Sequence, residues 1–119
     1  MAKFEKSLSG NFDEFVRYIH ESITGGSVSA TFEDGSDFTF ETIRIAVRVY
    51  ERYSMIGGNR VSMNITIIGD EDRLLITAIT SGGSQAVFFK INTFGEESFL
   101  DQCIVAVERY TAGISKKNS

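Results

Sequence analysis

Residues 43–68, IRIAVRVYERYSMIGGNRVSMNITII, decide how this chain folds. Ile43, Ile45, Val47, Val49 and Tyr53 alternate with Arg44, Ala46, Arg48, Tyr50 and Arg52. A helix is the competing reading, because AVRVYERY also winds into an apolar stripe. The β-branched run and the strict period of two favour a strand over residues 43–55. Residues 60–68 repeat the pattern, with Val61, Met63, Ile65 and Ile67 on one face and Ser62, Asn64 and Thr66 on the other. A three-residue loop, Gly57-Gly58-Asn59, sets Val49 opposite Ile67 and Tyr53 opposite Met63, apolar against apolar. In that register Arg52 faces Asn64 and Tyr50 faces Thr66, and a slip of one residue would turn every side chain to the wrong side. Glu51 is the exception. It falls on the expected inner face opposite Ile65, which calls for a rim position, an arginine partner or a bulge.

Working outward, residues 28–32 and 38–40 flank the turn signal Glu33-Asp34-Gly35-Ser36-Asp37. Downstream, Asp70-Glu71-Asp72 turns the chain into a strand over residues 73–80. Ser81-Gly82-Gly83-Ser84 turns it again into residues 85–91. There Leu74, Ile76, Val87, Phe88, Phe89 and Ile91 place apolar groups on both faces, and the inward positions stay open. Residues 2–8 supply a further strand.

Two helices bracket this β region. Phe12, Phe15, Val16, Ile19 and Ile23 share one helical face, Asn11 and Glu14 suit its N-cap, and Gly25-Gly26 ends it. Asp13, Arg17 and Glu21 are spaced as i, i+4 pairs on the opposite side. The second helix is expected to open at a Thr93-x-x-Glu96 capping box and end before Gly113. Phe99, Leu100, Cys103, Ile104, Val107 and Tyr110 form its apolar stripe. The order β-α-β(4–6)-α predicts an α+β two-layer sandwich, an antiparallel sheet with both helices packed on one face. That face is expected to be the Ile43/Ile45/Val47/Val49 side. The topology resembles TBP-like and helix-grip folds, a likeness of architecture that implies no function.

The chain has 119 residues, 42% of them hydrophobic, with 12 Lys and Arg against 16 Asp and Glu. This fits one globular domain over residues 1–115, with residues 116–119 a frayed tail. Ten Phe and four Tyr argue against disorder. No stretch approaches the roughly 18 apolar residues of a membrane span, and MAKFEKSLSG has no signal-peptide core. The acidic balance disfavours nucleic acid and anionic lipid. A lone Cys103 excludes an intrachain disulfide and suits a reducing cytoplasm.

Few residues carry chemistry. Cys103 lies mid-stripe and reads as core packing, not as a nucleophile. His20 reads as a boundary side chain, without companions for a metal site. Asp70-Glu71-Asp72 reads as a solvated turn, and the glycine pairs read as turns, not as phosphate loops. No catalytic residue, metal site or cofactor is expected. The unusual feature is the row Arg44, Arg48 and Arg52 interleaved with Tyr50, with Arg60 across the hairpin. On an outward sheet face it is either a solvated guard against aggregation or a platform for an acidic partner, an anionic ligand or a second subunit.

The stretches AVRVYERYSMIGGNRVSMN and SGGSQAVFFKINTFGEESFLDQ resemble a small family of bacterial proteins that carry a domain of unknown function. The resemblance spans nearly the whole chain and implies no reaction, cofactor or catalytic residue. The leading expectation is therefore a non-enzymatic binding or assembly module that forms a homo-oligomer, a dimer first of all. It would use a partly apolar second sheet face that includes Tyr50 and Ile68. The alternative is a carrier of a small anionic or amphipathic ligand, with a pocket between sheet and C-terminal helix. Tyr53, Phe88, Phe89 and Tyr110 would line that pocket, and Arg48 or Arg52 would orient the ligand.

Overall fold

Period-two and period-3.6 segments sort into two layers in the computed structural model, which describes residues 1–26, 30–53, 60–82 and 89–117, with the α2 side chains described from 98 to 113. The elements are β1 (Ala2–Ser9), α1 (Phe12–Thr24), β2 (Thr31–Phe40), β3 (Ile43–Tyr53), β4 (Arg60–Asp70), β5 (Arg73–Gly82) and α2 (Phe89–Lys117). The sheet order is β1-β5-β4-β3-β2, and every neighbouring pair is antiparallel. Both helices pack on one face, giving the expected α+β sandwich.

The first helix follows its sequence signals. The Asn11 side chain accepts a hydrogen bond from the Glu14 amide, and the Gly25 amide closes the other end on the Glu21 carbonyl. Phe12, Phe15, Ile19 and Ile23 are its buried face. They meet Met63, Ile65, Ile67, Leu74, Ile76 and Ala78 from the sheet, and Phe99, Cys103 and Val107 from α2. Tyr110 locks the helices together. Its ring lies 4.8 Å from that of Phe15 and 5.2 Å from that of Tyr18, and its hydroxyl donates to Glu14.

Four expectations change. Glu33-Asp34-Gly35-Ser36-Asp37 is not a turn but the middle of edge strand β2, with a register shift between Phe32 and Asp34 that accommodates one extra residue. The turn comes later, at Glu41-Thr42, where Glu41 takes a φ of 57°. Residues 89–91 belong to α2 instead of a sixth strand, so Thr93 lies inside the helix and not at its start. The helix then runs through Gly113 to Lys117, past the end expected for it. The loop at residues 57–59, strand residues 54–55 and 85–88, the start of the strand expected at residue 28, and residues 118–119 lie outside the described residues.

The fourth change matters most. Val49 pairs with Asn64 and Tyr53 with Arg60, three residues from the expected register. An odd shift exchanges faces. Ala46, Arg48, Tyr50 and Arg52 therefore join Ile67, Ile65, Met63 and Val61 under the helices, while Ile43, Ile45, Val47 and Val49 turn away. Ala46 and Tyr50 are fully buried. The arginines tolerate this side because their stems cover apolar surface while their heads reach the rim. The guanidinium of Arg44 stacks over Phe12 and that of Arg52 over Phe99, each 4.6 Å from the ring centre.

Candidate functional site

Once the arginines lie on the helix side, α1 and the β2–β3 ribbon enclose an open cleft of about 720 Å³. Its α1 wall carries Phe12, Asp13, Val16, Arg17 and His20, one residue per turn or half-turn on the flank of the buried stripe. Its sheet wall carries Phe32 and Arg48, with Asp34 and Asp37 at the β2 edge and Arg44 at the end. One ion pair ties the α1 wall to the sheet wall, and a second lies within the sheet wall. Arg44 reaches Asp13 at 2.8 Å, and Arg48 reaches Asp37 at 2.9 Å. The Arg44 guanidinium holds the Asp13 carboxyl below the usual carboxylate range. Arg48 also donates to the Val47 carbonyl at 2.9 Å.

His20, on the α1 wall, is backed by Tyr50, which is fully buried behind the lining. The Tyr50 hydroxyl lies 2.9 Å from His20 Nδ1, and the Phe32 ring packs edge-on to the imidazole at 5.4 Å. Burial pushes the Tyr50 phenol up to about 12, so it keeps its proton. A buried hydroxyl needs an acceptor for that proton. Among the described residues His20 Nδ1 is the partner it has, which places the imidazole proton on Nε2.

Arg52 belongs elsewhere. It donates to Gln102 Oε1 at 3.2 Å and to Ser98 Oγ at 2.8 Å. The Gln102 amide in turn donates to the carbonyls of Ser22 and Ile23, satisfying the last turn of α1. Arg52 is thus a brace between sheet and helices, and burial lowers its pKa. Arg60 sits on the opposite face of the sheet, ion-paired with Glu51 and 3.6 Å from Glu33, its guanidinium 5.7 Å from the Tyr53 ring centre. Glu51 therefore has its arginine partner, on the outer face instead of the inner one.

Of the residues expected to line one pocket, Tyr53 and Tyr110 do not converge. Tyr53 is 66% exposed on the outer face, whereas Tyr110 is buried between the helices. Phe89 is the first residue of α2, and Phe88 lies outside the described residues. Phe99, Cys103 and Val107 are fully buried where α2 meets the sheet, and burial raises the Cys103 thiol to about 12. Arg17, His20 and Phe32 were not assembled by sequence reasoning. The i, i+3 spacing of Arg17 and His20 was the available signal, but the missed extent of β2 hid Phe32.

The outer face is the second feature. Phe38, Ile45, Ile68 and Leu75 form one cross-strand row over four strands. Phe40 is 68% exposed, Phe38 50% and Leu75 39%. Ile43, Val47 and Val49 continue the patch, and Lys3 and Glu5 lie toward its β1 margin.

Comparison with curated proteins and with solved structures finds no match. A family model does match, over residues 1–111: the chain belongs to the family of unknown function DUF6054.

Proposed function

We propose that this protein is a non-enzymatic, self-associating module whose outer sheet face packs on the same face of a second copy. One observation carries the reading. The row Phe38, Ile45, Ile68 and Leu75 is left without cover by every described element. Five strands at about 4.8 Å spacing and about ten residues of about 3.3 Å rise span on the order of 800 Å². That is roughly what each partner contributes to a standard interface. Two such faces pack as a β-sandwich about 10 Å apart, and a two-fold axis makes the same patch serve both copies.

Edge pairing through β2 is the weaker route. Antiparallel self-pairing about its centre sets Asp34 opposite Asp37 of the other copy at two positions, and like charges directly opposite destabilise a pair. The acidic balance and the single buried Cys103 suit a bacterial cytosol as the setting.

Sedimentation of the purified protein at tens of micromolar tests the proposal. A dimer is expected, converted to monomer by Ile45→Glu with unchanged far-UV circular dichroism. A strict monomer, or a dimer indifferent to Ile45→Glu and Leu75→Glu, overturns it.

A further inference from the structure

The cleft beside α1 remains open whichever way the outer face is used. We propose that it binds a small amphipathic monocarboxylate, its apolar body against Phe12, Val16 and Phe32 and its carboxylate on Arg17 and the His20 Nε2–H. A cavity of about 720 Å³ is of small-molecule size, and it combines apolar walls with few polar groups as such sites do.

Charge decides the ligand class. The lining holds three arginines and three aspartates, but Arg44 is held by Asp13 and Arg48 by Asp37. The Asp34 carboxylate accepts the Gly35 amide. Arg17 is the lining cation that makes no direct ion pair or hydrogen bond among the described residues, although its charge acts on Asp13, and it stands one turn before His20 on the same helix. Two donors, a guanidinium and an imidazole N–H, match one carboxylate. A dianionic phosphate would meet Asp34 and Asp37 across the cleft with only one uncommitted cation to offset them.

The test uses the ¹⁵N-labelled full chain at low salt, with hexanoate as the probe, hexanamide as its neutral match and inorganic phosphate as the charged control. Hexanoate is expected to give saturable shifts at Phe32 and on the His20 ring nitrogens, with hexanamide about tenfold weaker and phosphate without effect. Arg17→Gln, an exposed site whose substitution leaves the core intact, should weaken hexanoate about tenfold and leave hexanamide unchanged. Unsaturable shifts, equal binding of the amide, competition by phosphate, or indifference to Arg17→Gln would each overturn the proposal. None of these outcomes depends on the oligomeric state.

Discussion

Tyr50 is the residue on which the helix side of the sheet turns. It is the largest fully buried side chain, and its hydroxyl meets only His20 Nδ1 among the described residues. Tyr50→Phe keeps the packing and strips the imidazole of its partner. It should cost about 1 kcal/mol in a urea unfolding experiment, and the ¹⁵N shifts of His20 should report loss of the single tautomer. Gly69 is a second exacting position. A Cβ there would stand 2.6 Å from Phe12 Cδ2, where the helix crosses β4. Gly69→Ala should therefore destabilise by roughly 1–3 kcal/mol as Phe12 is pushed off the sheet, read from the same unfolding curves. The Arg44–Asp13 pair is exposed and adds little, yet it has a pH signature. A lowered folded-state pKa gives stability present above the unfolded value and lost as pH falls through the folded one. In Arg44→Gln the Asp13 carboxyl should titrate closer to its ordinary 3.8, as followed by carbon NMR, and the mutant should lose stability less steeply below that pH.

At the scale of elements, the hairpins depend on two turns that strain their own residues. Glu41 and Glu71 both take φ 57°, a region costly for any residue with a Cβ. Glu71→Gly should raise stability by up to about 1 kcal/mol, since the relief of left-handed strain exceeds the extra chain entropy of glycine. A thermal midpoint that falls instead would mean the glutamate side chain stabilises the turn. These elements also show how far sequence reading reaches. The stripe Phe12/Phe15/Ile19/Ile23 and the buried set Val61/Met63/Ile65/Ile67 were legible because one period and one buried face agree in each. The facing of β3 was not legible. Both its sides are apolar enough for a sheet: one through aliphatic side chains, the other through Ala46, Tyr50 and arginine stems. The tie is broken by the register with β4, in which Tyr53 pairs with Arg60. In β2 the run Glu33–Asp37 carries turn composition yet stays extended, because an edge strand needs only one partner and keeps its charges in water.

At the scale of the whole molecule, the exchange of faces on β3 turned an expected arginine platform into a cleft and an expected core face into an uncovered one. The shortest dimension of the molecule, 20 Å, equals one sheet layer and one helix layer, and among the described residues the second face of the sheet meets no third layer. A protein that hides such a face by pairing must show it thermodynamically. Association stabilises the folded state by mass action, so the unfolding midpoint should climb as protein concentration rises. In Ile45→Glu the midpoint should become independent of concentration. At low concentration, where both proteins are monomeric, the variant should unfold at or slightly below the wild-type temperature, because it replaces a half-buried side chain that lies outside the core. A wild-type midpoint that stays flat over a hundredfold dilution series spanning the micromolar range would leave the face without a second copy to cover it.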